Sequence, residues 1–132
     1  MPIQSHFGEH ITIDGYDGNL ELLDSEEAAS SALTELYDAL GMHALIKPVV
    51  ISALATDGKD PGGWSGFVII AGSHISIHTF PRRTFLTADV YSCENSIDQE
   101  FVVDFFKKKF QLEEVETHFI KRGLKYPEHN LL

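Results

Sequence analysis

The chain has 132 residues, of which 43% are hydrophobic, and these values fit one globular domain spanning residues 1–132. Ten Lys and Arg stand against twenty Asp and Glu, and the formal charge of −10 argues against a nucleic-acid partner because it repels a phosphate backbone. The single cysteine, Cys93, excludes an internal disulfide, and no N-terminal apolar stretch has the length of a signal or membrane segment. The sequence therefore predicts a cytoplasmic protein with no membrane partner.

The first half of the chain predicts a strand, a helix and a second strand. Residues 10–13 are typical of a short strand, and a turn rich in glycine and Asx residues follows it. Ser25 is a suitable N-cap, and Gly41 ends a helical pattern that comprises Ala28, Leu33, Leu36, Tyr37 and Leu40. Residues 49–54 are apolar and β-branched, which indicates a strand that enters the turn-rich segment 57–63.

The second half predicts three strands, a helix and a last strand. Residues 66–71, 74–78 and 85–91 are expected to form an antiparallel meander. A second helix opens at Ser96, and its apolar side comprises Phe101, Val102, Phe105, Phe106 and Phe110. Residues 115–120 supply the last strand, before a mostly polar tail. This order predicts an α+β fold, a two-layer sandwich with a largely antiparallel sheet and two helices on one face.

The segment 62–93 concentrates nucleophiles and bases, namely Ser65, Ser73, His74, Ser76, His78 and Cys93. A serine esterase is excluded because neither Ser65 nor Ser73 lies in a G-x-S-x-G elbow. His74 and His78 could share a ligand, but they lack the Glu and helix of H-E-x-x-H, and no metal is predicted. The remaining alternative makes these residues the polar face of a half-buried strand whose Ile75 and Ile77 face the core.

Residues 72–81, Gly-Ser-His-Ile-Ser-Ile-His-Thr-Phe-Pro, resemble the Glu-Ser-His-Ile-Ser-Ile-His-Thr-Trp-Pro signature of bacterial and archaeal S-adenosylmethionine decarboxylases. The resemblance extends to residues 8–10, 63–66 and 88–93. It implies that the chain cuts itself between Gly72 and Ser73, giving fragments 1–72 and 73–132. It also implies that Ser73 becomes a pyruvoyl group, so that no external cofactor is required, and that processed protomers form a homodimer.

The same resemblance implies a role for each reactive residue. Ser73 is the nucleophile, His78 the base that removes the Ser73 α-proton, Ser65 a hydroxyl that assists processing, and Cys93 the acid that reprotonates the substrate. A strained Gly72–Ser73 junction is expected to expose the carbonyl under attack. Strict alternation puts Ser73 and His78 on opposite faces of a strand, so a bend or bulge near Ser73 is also expected.

Three positions differ from the family pattern. Gly72 stands where Glu usually precedes the cleavage serine, Arg82 where a Glu receives the ribose hydroxyls, and Lys59 where a phenylalanine stacks on adenine. Phe80 retains the other stacking ring. Because arginine offers only hydrogen-bond donors, these changes weaken nucleoside recognition.

The altered positions favour a smaller amino-acid substrate, L-arginine or L-ornithine, over S-adenosylmethionine, which stays as the alternative. Lys59 and Arg82 add positive charge that Asp57, Asp60 or Glu9 would have to neutralise. A hypothesis of a different functional class is that the chain is an uncleaved, non-catalytic homologue that regulates a partner subunit.

Overall fold

The computed structural model describes residues 6–56 and 58–127. Its six strands are β1 (Gly8–Tyr16), β2 (Val49–Ala53), β3 (Gly63–Ile70), β4 (Ser73–Phe80), β5 (Phe85–Ser92) and β6 (Glu114–Arg122). Its helices are α1 (Leu20–Leu23), α2 (Glu26–Ala39) and α3 (Gln99–Lys109), and a 3₁₀ turn covers Pro81–Arg83. None of the helices in the described part of the chain is long and apolar enough to cross a membrane.

The strands form one sheet in the order β2-β3-β4-β5-β1-β6, and every neighbouring pair is antiparallel. The expected meander is confirmed, because β3, β4 and β5 follow one another both along the chain and across the sheet. The first strand, β1, lies between β5 and the last strand, β6. Residues from the two ends of the chain therefore meet at one edge of the sheet, where β6 is the outermost strand.

One face of the sheet carries the apolar side chains of the core. Both long helices pack on this face, so the predicted two-layer α+β sandwich with its helices on one side is confirmed. Complete burial of each such side chain contributes about 1.5–3 kcal/mol to the stability. The buried residues are Ile11, Ile13, Val68, Ile75, Ile77, Leu86 and Val90 from the strands, and Ala32, Leu33, Leu36, Val102, Phe106 and Phe110 from the helical segments. Within residues 6–56 and 58–127, no helix covers the opposite face, which we call the open face.

Two details of the helices differ from the prediction. The N-cap of α3 is Asp98, not Ser96, since the Asp98 carboxylate accepts a hydrogen bond from the Phe101 amide at 3.0 Å. Both residue types cap well, so the sequence alone does not separate them. The short helix α1 was not predicted; the Asn19 side chain caps it, and it buries Leu23.

Candidate functional site

Ser73 lies at the first position of β4, directly after the turn that joins β3 to β4. Its side chain is buried on the helix-covered face. Cys93 follows the end of β5, and its backbone N–H donates a hydrogen bond to the Ser73 Oγ at 3.1 Å. The Cys93 thiol lies 3.9 Å from the Ala71 carbonyl oxygen. The predicted nucleophile and the predicted acid therefore meet at one end of the sheet.

Gly72 allows this close approach. A Cβ atom at position 72 would lie 3.0 Å from the Cys93 sulfur, and the backbone has φ of +68°. Glycine adopts this conformation at no steric cost. The strain expected at the Gly72–Ser73 junction stays a prediction, and the absence of a side chain at Gly72 leaves room for the thiol.

Ser65 and His78 form a second pair, on the open face. The two residues lie directly opposite each other in the β3–β4 register, and the Ser65 Oγ is 2.8 Å from the His78 Nδ1. This pair is exposed to solvent. A hydroxyl hydrogen-bonded to an imidazole can pass a proton to or from a reacting group.

The structure does not bring these two pairs together within one chain. The register from Ser65↔His78 to Ile70↔Ser73 is uninterrupted, so the expected bend or bulge in β4 is wrong. His78 lies five residues beyond Ser73, which at the rise of a strand separates them by about 16 Å. Their side chains also point to opposite faces, because the side-chain period of a strand is two residues.

The residues predicted to bind substrate lie at the His78 end of β4. Phe80 stacks on Phe85 with ring centroids 5.6 Å apart, so one face of its ring is already covered. Arg82 is exposed and lines, with Arg83 and Gly58, a cavity of about 420 Å³. Lys59, also exposed, directly follows Gly58 in the same loop.

Two of the acids expected to neutralise Lys59 and Arg82 have hydrogen-bond partners of their own. The Asp60 carboxylate accepts a hydrogen bond from the Gly62 amide at 3.0 Å. Glu9 is buried, and its carboxylate lies 2.9 Å from the His6 Nε2. Glu9 pairs with Ser92, next to Cys93, so it lies at the other end of the sheet. The third acid, Asp57, lies outside the described residues.

A polar cluster at the centre of the open face was not predicted as a functional unit. The Asp89 carboxylate bonds His10 at 2.5 Å, His74 at 3.3 Å, and the hydroxyl of Ser76. Burial raises the pKa of Asp89, but hydrogen bonds from Ser76 and His10 outweigh it and hold that pKa below its usual value. The only sequence signal was the polar position of Asp89 between the apolar Ala88 and Val90.

The cluster also has a donor set that a metal ion could use, since the ring nitrogens of His10 and His74 and an oxygen of Asp89 lie within 4.8 Å of one another. Arg122 lies 2.9 Å from the His10 Nδ1. Because arginine can only donate, Nδ1 is the acceptor and a neutral His10 carries its proton on Nε2, towards Asp89. That arrangement leaves no lone pair on Nε2 for a metal ion.

Comparison with known proteins gives one consistent result. The model of the S-adenosylmethionine decarboxylase family matches residues 9–123. An S-adenosylmethionine decarboxylase proenzyme of Clostridium botulinum (strain Loch Maree) is 31% identical over 116 residues, 88% of this chain and 94% of the relative. Proenzyme 2 of Bacillus cereus is 28% identical over 120 residues, 91% and 92% of the two chains.

A solved structure supports the fold. The adenosylmethionine decarboxylase of Aquifex aeolicus superposes with a TM-score of 0.79 and covers 96% of this chain and 99% of its own. Because the sequence identity is 24%, this similarity supports a shared fold and nothing further. It agrees with the two-layer sandwich described above.

Proposed function

The chain belongs to the S-adenosylmethionine decarboxylase family, and from that premise we propose that it is a self-cleaving, pyruvoyl-dependent amino-acid decarboxylase. The observation that carries the proposal is the arrangement at the β3–β4 turn. There the Ser73 hydroxyl is held by the Cys93 amide, and the Cys93 thiol lies against the junction to be cut. A cytoplasmic location stays a prediction from the cysteine content.

Cleavage at this junction needs a nucleophile, a base and room for the departing segment. The Ser73 Oγ attacks the Gly72 carbonyl carbon, and the peptide C–N bond breaks to leave an ester and a free Ser73 amine. Removal of the Ser73 α-proton eliminates the ester, so that Gly72 ends in a carboxylate and residue 73 becomes dehydroalanine. Water then hydrolyses the imine tautomer of residue 73, ammonia leaves, and residue 73 is left as the pyruvoyl group. The cavity beside Ser73, about 180 Å³, provides space at this point of the chain.

The pyruvoyl group would supply an electron sink for the carbanion that remains after carbon dioxide leaves. The other steps fall to side chains of this chain. Cys93 is the proton donor to the substrate α-carbon, because its amide bonds the Ser73 Oγ and its thiol lies beside the junction, 3.9 Å from the Ala71 carbonyl oxygen. The Cys93 amide orients the oxygen of residue 73 before cleavage.

We infer that two copies of the chain complete each active site. Ser73 and Cys93 lie about 16 Å from His78 along β4 and on the other face, so one chain cannot use all four residues on one substrate. In a two-fold dimer each copy can offer its Ser73 end to the His78 end of the other. Each dimer then contains two complete sites.

The open face offers a surface for such a dimer. Its large apolar side chains are exposed in the single chain, and apolar surface of this kind usually marks an interaction site. They flank the polar cluster around Asp89 and comprise Ile51, Phe67, Ile69 and Ile120.

For the substrate, we propose L-arginine or L-ornithine, with S-adenosylmethionine as the alternative named by the relatives. The support is at the nucleoside end, where Phe80 has one ring face covered by Phe85. Among the described residues, Arg82 has no hydrogen-bond or ion-pair partner. A guanidinium there cannot accept hydrogen bonds from ribose hydroxyls.

The intact mass of the purified protein tests the proposal directly. We expect fragments that correspond to residues 1–72 and 73–132, and one full-length species for Ser73→Ala because its nucleophile is absent. The cut protein should release labelled carbon dioxide from at least one of L-arginine, L-ornithine and S-adenosylmethionine. An uncut wild-type chain would instead favour the regulatory homologue, and a cut in Ser73→Ala would refute the assignment of the nucleophile.

A further inference from the structure

The cavity beside Ser73 and Cys93 has a chemical character that the proposed processing does not use. Its volume is about 180 Å³, below the range of about 300–1,000 Å³ for sites that hold drug-sized ligands. Met42 and Ile70 supply apolar wall, and the acidic residue Glu94, which is also exposed to solvent, lines the cavity as well. The cavity is therefore suited to an aliphatic chain that ends in a positive charge.

Resting on the proposed function, we propose that Glu94 is the specificity-determining residue that pairs with the cationic end group of L-arginine or L-ornithine. The acid directly follows Cys93, whose amide holds the Ser73 Oγ. Successive Cα atoms are about 3.8 Å apart. A substrate that reacts at residue 73 thus has Glu94 within reach of its side chain.

The surroundings of Glu94 leave its carboxylate available. The Glu94 backbone N–H is bonded to the Ser92 hydroxyl, which fixes the main chain at this turn. Among the described residues its carboxylate has no hydrogen-bond or ion-pair partner. A carboxylate in this state gains a charge-assisted hydrogen bond when an ammonium or guanidinium group enters the cavity.

Glu94 also answers a difficulty raised by Lys59 and Arg82. These cations lie at the His78 end of β4, remote from Ser73 in the same chain. In the two-copy site, the His78 end of the second chain faces the Ser73 end of the first. Glu94 then supplies the negative charge that a cationic substrate requires beside them.

The test compares Glu94→Gln with Glu100→Gln, a matched loss of charge on the exposed surface of α3. Both cut enzymes are assayed with L-arginine, L-ornithine, S-adenosylmethionine and L-citrulline, which has nearly the shape of L-arginine but a neutral end group. We expect Glu94→Gln to lower kcat/KM for the better cationic amino acid by about 10- to 100-fold, and to leave L-citrulline within about twofold. Glu100→Gln should match the wild type.

Unchanged kcat/KM for L-arginine and L-ornithine in Glu94→Gln would overturn the role of Glu94 while the decarboxylase function stands. A loss confined to S-adenosylmethionine would overturn the assignment of the cationic amino acid. If the wild type decarboxylates nothing, calorimetric titration with L-arginine and L-citrulline replaces the assay. A preference for L-arginine that Glu94→Gln removes would then support the site, and equal binding of the two ligands would overturn it.

Discussion

At the scale of single residues, the backbone of Cys93 and its side chain make two separate contacts. The Cys93 N–H donates to the Ser73 Oγ at 3.1 Å, whereas the thiol lies near the Ala71 carbonyl. A substitution that changes only the side chain keeps the first contact and removes the second. Glycine at position 72 makes the second contact possible, because a Cβ atom there would lie 3.0 Å from the thiol.

Cys93→Ala is therefore expected to cut itself and yet to lose turnover. The amide that holds Ser73 remains in alanine, but the proton donor is gone, and general acids contribute about 10²- to 10⁴-fold. Intact mass measures the cut, and carbon dioxide release measures turnover by the cut enzyme. Wild-type turnover in Cys93→Ala would remove the thiol from the mechanism.

At the scale of elements, β4 has a different chemistry on each face. Ile75 and Ile77 are fully buried under the helices, while His74 and Ser76 lie on the open face and bond Asp89 of β5. His10 of β1 bonds the same carboxylate. One ionised side chain thus links three neighbouring strands at the centre of the sheet.

Asp89→Asn should lower the free energy of unfolding at neutral pH, because the asparagine amide would direct a donor at the donor of His10. We expect a loss of only about 1–2 kcal/mol, since solvent partly screens the Asp89 carboxylate. The folded pKa of Asp89 is lowered, so its contribution is complete above the unfolded value of about 3.9 and is lost as the pH falls through the folded pKa. Urea unfolding should show a difference from wild type at pH 7 that narrows near pH 3. A constant difference would contradict the ionic contribution, and exposed Asp104→Asn is the control.

At the scale of the whole molecule, the residues proposed to react form two half-sites at opposite ends of the β3–β4 hairpin. One half-site contains Ser73 and Cys93, and the other contains Ser65 and His78. The rigid ladder between them prevents them from approaching each other within a chain. The separation requires a second copy for any mechanism that uses both.

Co-expression of Ser73→Ala with His78→Ala tests this requirement. Neither variant should cut itself alone, since each lacks one half of the chemistry. In the mixed dimer, however, one site combines Ser73 of the His78→Ala chain with His78 of the Ser73→Ala chain. The His78→Ala chain should therefore be cut. Mass analysis of differently tagged chains measures this, and light scattering should give twice the chain mass. Efficient cleavage of His78→Ala alone would contradict the two-copy site.

The sequence by itself determined the elements, because the period of the apolar residues is a local property. The alternation at 74–78 indicated a strand with Ile75 and Ile77 inward, and the helical spacing after Ser25 indicated α2; both are confirmed. The two differences from the prediction, the N-cap of α3 and the short helix α1, have local causes as well. Ser96 and Asp98 are equally good caps, and the four residues of α1 are too few to show a period.

Only the tertiary structure decided which residues meet. Cys93 reaches Ser73 across 20 positions because β4 lies beside β5, and Asp89 reaches His10 across 79 because β1 lies on the other side of β5. Strand order follows from packing of the whole sheet against its helices, which no local period encodes. The sequence likewise placed Ser73 and His78 on opposite faces, but the unbroken register of β4 decided that they stay apart within one chain.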